Sequence, residues 1–290
     1  MSRVSPTVRR RRLGQELRAL RESRDMTVKA VAAQLEWSSS KISRFETTKI
    51  TVTSVDLKAL LEVYGIDNAQ HRERLITLAR ESRETPWWNQ IDDRTPISGF
   101  KDFVGFEAEA IGIRTYEPLN IPGLLQTKEY ARAIMVATWP DGADVEKALE
   151  LRLERQRTTT LSDDPVDVTA IIDEAALRRP MGGEGRGSVM SDQVERLIEL
   201  SEQTNVRILV LPFGSGPHPG MSGGFTILEL PHPEDHGVVY VEGLTQGVLL
   251  GDEQSLERYR LVFDQVRQCA LGSQASRDFL VDVRDEVEQG

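Results

Sequence analysis

Ser38, Ser39, Ser40, Lys41, Ser43 and Arg44 crowd hydroxyl, ammonium and guanidinium groups into one short stretch. Side chains of these types hydrogen-bond to base edges and phosphate oxygens of duplex DNA. Lys41 or Arg44 can pair with guanine O6 and N7, so Ser39, Ser40, Lys41 and Arg44 are the candidate base readers. Ser38 and Ser43 are candidates for phosphate, with Thr27 and Lys29 a few residues earlier. Arg9, Arg10, Arg11 and Arg12 form a basic block ahead of all of these. A solvated helix start would place them unfavourably, because cations oppose the positive end of a helix dipole. The block is therefore read as a phosphate-binding arm leading into the first helix.

These side chains need a support, and the spacing supplies one. Val28, Val31, Ala32 and Leu35 recur as one apolar helical face, and Thr27 stands where an N-cap belongs. A turn at Glu36–Trp37 follows, and Ser38 or Ser39 caps a second helix running to about Thr47. Ile42 and Phe45 form its apolar back; the Ser/Lys/Arg side suits a major groove. Glu46 either bonds back to neighbouring helices or faces DNA. Leu13, Leu17 and Leu20 mark an earlier helix. Ser54 reads as the cap of a fourth, with Leu57, Leu60, Leu61 and Tyr64 inward and Gly65 ending it. A fifth spans about 69–83.

From about Leu13 to Tyr64 the chain resembles the lambda Cro/repressor (XRE) type of helix-turn-helix. Ala32 and the run Ser40-Lys41-Ile42-Ser43-Arg44-Phe45-Glu46 carry the likeness. Val28 stands where the family has a phosphate-holding Gln. Thr48 stands where it has Gly, which makes a left-handed helix exit harder. The fold expected is an all-α five-helix helix-turn-helix head over 8–85, followed by a larger α+β domain over 86–285. One head offers few base contacts, so a homodimer on a two-fold DNA site is expected.

Charge agrees with a division of labour. Residues 1–85 carry 17 Lys/Arg against 11 Asp/Glu, a balance of +6, within a chain of net charge −10. A basic head on an acidic body directs only the head toward a polyanion. The single cysteine, Cys269, allows no internal disulfide, and no apolar run is long enough for a membrane span. The basic N-terminus lacks an apolar core, so no signal peptide and a cytoplasmic home are expected.

In the body, Phe103, Val104, Phe106 and Ala110 suggest a helix over about 99–112, and Val145, Leu149 and Leu153 another. Strands are read at 166–172, 206–211, 225–230, 238–242 and 248–250, with helices carrying Val194, Leu197 and Ile198, then Leu256, Tyr259, Phe263 and Val266, then Phe279, Leu280 and Val283. Trp87 and Trp88 are read as packing where head meets body, with ligand stacking the alternative. Tyr116-Glu117-Pro118, Ile121 through Thr127, Glu129 through Arg132, Arg152, Arg155 and Gln156 resemble the antitoxin-like domain that follows Cro-type heads in many actinobacterial regulators. That resemblance implies a transcription regulator and, alternatively, an antitoxin-like protein that holds a small partner protein and autoregulates its operon.

Enzyme chemistry finds little support. His232 and His236 have zinc-like spacing, but Pro231 and Pro233 make that segment a loop. The glycine-rich runs 181–188 and 214–224 lack the Gly-Lys-Ser/Thr of a phosphate loop. Asp173-Glu174 reads as a helix cap, and Cys269 as a structural thiol. No enzyme activity, cofactor or metal is expected.

Overall fold

Apolar residues at helical spacing build a first unit, and six short strands with their covering helices build a second. The computed structural model describes residues 6–83, 97–139, 144–160, 165–181, 186–231 and 237–289. Trp87, Trp88, His232, His236 and residues 182–185 of the glycine-rich run lie outside these. The chain divides into compact units at Met1–Gln90 and Ile91–Gly290.

The first unit consists of α1 (Pro6–Glu22), α2 (Val28–Gln34), α3 (Ser39–Glu46), α4 (Ser54–Val63) and α5 (Ala69–Glu81). Leu13 and Leu17, Val31 and Ala32, Ile42 and Phe45, Leu57, Leu60 and Leu61, and Leu75 and Ala79 meet in one core. Side-chain caps start the last four helices: Thr27, Ser38, Thr53 and Asn68 each accept a first-turn backbone N–H. Thr53 therefore takes the capping place expected of Ser54, which is the first helical residue. Gly65, at φ 61°, ends α4 as expected.

The arginine run lies inside α1, which begins at Pro6, and not in an arm ahead of it. Arg9 is buried and pairs with Glu81 at 3.3 Å. Arg10 donates to the Ser82 carbonyl at 3.4 Å, and Arg12 lies 3.5 Å from Glu16. The physical reason is the neighbour: the negative C-terminal end of α5 receives the cations that the α1 dipole disfavours.

The second unit centres on a six-stranded sheet in the order β3-β2-β1-β4-β5-β6. Its strands are β1 (Gly112–Glu117), β2 (Asp167–Asp173), β3 (Val206–Leu211), β4 (Phe225–Glu229), β5 (Val238–Glu242) and β6 (Gly247–Leu250). β1, β2 and β3 are parallel; β4, β5 and β6 extend the sheet antiparallel from β1. Helices α6 (Phe100–Glu107), α7 (Lys128–Thr138), α8 (Val145–Thr159), α9 (Glu174–Arg178), α10 (Arg186–Ser201), α11 (Glu253–Cys269) and α12 (Ser273–Gln289) complete it. Ala170, Ile172, Val206, Ile208 and Val210 face α10 and α12. Ile171, Leu209, Leu211, Phe225, Ile227 and Val239 face α11. The α+β body is thus present, with one strand the sequence did not announce. β1 pairs on both sides and carries Arg114 and Glu117, so its pattern shows neither clean alternation nor an apolar run. The helix expected over about 99–112 stops at Glu107, and the chain then turns into this strand. Asp173 caps α9, as its place after a strand suggested. Cys269 is half-buried beside the α11 core.

Candidate nucleic-acid interface

Thr27 and Ser38 start α2 and α3 in the same way, each hydroxyl accepting the backbone N–H three residues on, from Ala30 at 3.1 Å and Lys41 at 3.2 Å. Between the helices Glu36 adopts φ 56°, a left-handed conformation that reverses the chain, and Trp37 N–H closes the turn on the Ala32 carbonyl at 2.9 Å. Ile42 and Phe45 are buried, and Trp37 meets Phe45 edge-on at 6.2 Å. α3 is thereby fixed by its back. Its front holds Ser39, Ser40, Ser43 and Arg44, all exposed, with Thr27, Lys29 and Ser38 exposed beside it. Among the described residues no hydrogen bond or ion pair engages the Arg44 guanidinium or the Lys29 ammonium.

Lys41 differs from its neighbours. Its Nζ is 2.6 Å from Asp56 Oδ1 and 3.7 Å above the Trp37 ring centroid. Burial works to raise the Asp56 carboxyl, but the bonds from Lys41 and Thr53 outweigh it and hold it below its ordinary range. Lys41 therefore ties α3 to the start of α4. Glu46 takes the inward of its two alternatives: Arg21 donates Nε to Oε1 at 2.6 Å and Nη2 to Oε2 at 3.0 Å. Arg21 also donates to the Met26 carbonyl at 2.8 Å, so one guanidinium joins α1, the entry to α2 and the end of α3. Thr48 adopts φ 60°, the left-handed exit that glycine makes easily.

In the second unit, the loop Ile121–Thr127 and α8 are interlocked. Gln156 Nε2 donates to the carbonyls of Gly123 and Gln126, both at 2.9 Å. Arg152 donates to Gln126 Oε1, and Gln126 Nε2 donates to the Ile121 carbonyl at 2.7 Å. Arg155 forms a bidentate, buried pair with Glu107 of α6, both bonds 2.7 Å. A Cβ at position 123 would lie 2.9 Å from the Arg152 guanidinium, so only glycine lets that side chain lie flat on the loop. Gln193 of α10 holds the other side, accepting from Thr127 N–H at 2.7 Å and donating to the Leu125 carbonyl at 3.0 Å. Arg152 and Gln156 of the body resemblance are thus bonded to its Ile121–Thr127 segment, while Arg155 bonds to Glu107 outside it.

A family model described as a domain of unknown function (DUF5753) matches residues 100–282, more than half of the chain. The chain belongs to the DUF5753 family. A helix-turn-helix domain model matches residues 12–75. No curated protein and no solved structure matches the chain. The DUF5753 match covers the whole sheet and the interlocked loop. The helix-turn-helix match covers α2 and α3 entire and marks a DNA-binding transcription regulator. No helix among the described residues is long and apolar enough to cross a membrane. Sequence reasoning missed Arg21 as the partner of Glu46, and Asp56 as that of Lys41. Both pairings join residues 15 or more positions apart, and no local pattern encodes them.

Proposed function

We propose that this protein is a sequence-specific regulator that seats α3 in the DNA major groove. The observation that carries the reading is the uncommitted Arg44 guanidinium on the exposed Ser39/Ser40/Ser43 face of a helix anchored from behind. Ser39, Ser40 and Arg44 read base edges, joined by Lys41 when it exchanges Asp56 for a base. Thr27, Lys29, Ser38 and Ser43 hold phosphates, helped by the free N–H groups at the start of α3. Arg9 and Arg10 serve by keeping α1 on α5. The body supplies dimerisation and sensing, and acts by binding and not by turnover. Two heads on a two-fold site multiply the few contacts of one.

The test is selection of bound duplexes from a random pool with the purified chain. A two-fold motif is the expected result; recovery of unrelated sequences at moderate salt would sink the reading. The antitoxin-like alternative keeps the same head and gives the body a small partner protein. The resemblance of the Ile121–Thr127 segment supports it, and stoichiometric co-purification with the product of an adjoining gene would favour it.

A further inference from the structure

Between the sheet and the helices α6, α7 and α8 lies a cavity of about 460 Å³. The strand register builds its floor. Thr115 pairs with Thr226 and Thr226 with Tyr240, so all three point to one face. Two residues further toward the same end of the sheet come Glu117 on β1, Gly224 before β4 and Glu242 on β5. Glu117 and Glu242 both line the cavity, and Gly224 lies between them in register. A Cβ at 224 would stand 3.1 Å from Glu117 Oε2 and 3.0 Å from Pro118, so glycine keeps the space between the carboxylates bare. Arg152, Phe100 and Trp139 line the other side. Leu119 and Leu244, 58% and 99% exposed, also line it and mark its mouth.

With Glu117 ionised, the charges in this cavity do not balance. Arg155 neutralises Glu107, leaving Glu117, Glu242 and Arg152. Arg152 donates to neutral Gln126. Among the described residues no hydrogen bond or ion pair reaches the Glu117 carboxylate, and Glu242 accepts from the Tyr240 hydroxyl at 3.3 Å. Two carboxylates thus oppose one guanidinium. Burial, and then the charge of Glu242, push the Glu117 carboxyl up to about 8, and Arg152 only partly opposes this. Burial likewise pulls Arg152 down to about 10. Burial, with the Glu117 charge beside it, holds the Tyr130 phenol on α7 above its ordinary range. A lone metal ion would leave the volume and the aromatic wall unused.

We infer that this cavity binds a small organic amine, its ammonium between Glu117 and Glu242 above Gly224 and its apolar body against Phe100, Trp139 and Leu119. The inference deepens the sensing half of the function proposed above and rests on it only for the regulatory consequence. Near neutral pH, binding expels the proton that Glu117 holds in the empty site.

The full chain is titrated by calorimetry and thermal melting with a panel of arylalkyl amines that includes phenethylamine and tryptamine. Matched carboxylates and alcohols, 3-phenylpropionate and 2-phenylethanol among them, form the control set. The expected result is that amines alone bind and raise the melting temperature, releasing close to one proton at pH 7, as read from two buffers of different ionisation enthalpy. Glu117→Gln and Glu242→Gln each weaken binding about tenfold or more, and Glu117→Gln abolishes the proton release. Thr226→Phe fills the cavity without removing a charge and also prevents binding. Unliganded melting curves establish that each variant is folded. Amines that fail to bind, or carboxylates and alcohols that bind equally well, overturn the inference, as does unchanged amine binding in all three variants. Gel-shift assays on selected DNA are run in parallel. A wild type that binds DNA but no amine sinks this inference alone, and a wild type that binds amine but no DNA sinks the regulator reading alone.

Discussion

Arg44 and Glu46 sit two positions apart on α3 and have opposite fates. Glu46 points inward, where both carboxylate oxygens take bonds from Arg21. Arg44 points outward with its donors unused by the described chain. Breaking a buried, bidentate pair leaves one charge without a counterpart and costs about 3–5 kcal/mol. Glu46→Ala should therefore lower the denaturant midpoint of the head sharply while leaving the base-reading face intact. An unchanged midpoint would show that the pair contributes little. Arg44→Ala should do the reverse, keeping the stability and losing about 1–3 kcal/mol of binding to the selected duplex. Its preference should relax at one base-pair position, and equal binding of wild type and variant to specific and scrambled duplexes would remove Arg44 from the reading set.

At the scale of elements, the exit of α3 carries a local conflict. Thr48 is β-branched and sits at φ 60°. Such a conformation costs about 1–3 kcal/mol in a non-glycine residue. The surroundings hold it there: a Cβ on Gly14 of α1 would come within 2.9 Å of both the Glu46 carbonyl and the Thr48 methyl. α1 and the end of α3 are therefore in close contact at Gly14. Thr48→Gly should stabilise the head by about 1 kcal/mol, seen as a higher midpoint in urea. In the body, the Gln156 amide is the strap between α8 and the Ile121–Thr127 loop. Gln156→Leu keeps the volume, leaves two carbonyls unpaired, and should cost about 2–4 kcal/mol by thermal denaturation. A loss below the error of the measurement would mean that water replaces the strap.

At the scale of the whole molecule, the acidic body should make stability depend on pH through Glu117. Folding raises that carboxyl from 4.5 to about 8, so the native body keeps a proton that the unfolded chain releases. The stabilisation from this group is full below the unfolded value and is lost as pH rises through the folded one. The melting temperature of the wild type, relative to Glu117→Gln, should fall between about pH 5 and pH 8 and level off above. Parallel curves across that range would show that Glu117 titrates normally. Bound amine should flatten the dependence, because it holds Glu117 ionised.

The sequence by itself determined the five helices of the head, the boundaries of four of them to within a few residues, and the polar front of α3. Each rests on a local rule: periodic apolar residues, a capping hydroxyl, or a glycine with positive φ. It also determined five of the six strands, whose β-branched runs stand between clear breaks. Tertiary structure alone decided the rest. β1 is a strand because β2 and β4 bond to both its sides, whatever its own pattern suggests. Arg9 and Arg10 lie against α5 because a helix C-terminus and Glu81 receive them. Glu117 and Glu242, 125 residues apart, share one cavity only because sheet register sets them on either side of Gly224. Local rules act over a turn or two of chain, whereas ion pairs, cavities and shifted protonation depend on distances that only the folded sheet and its helices fix.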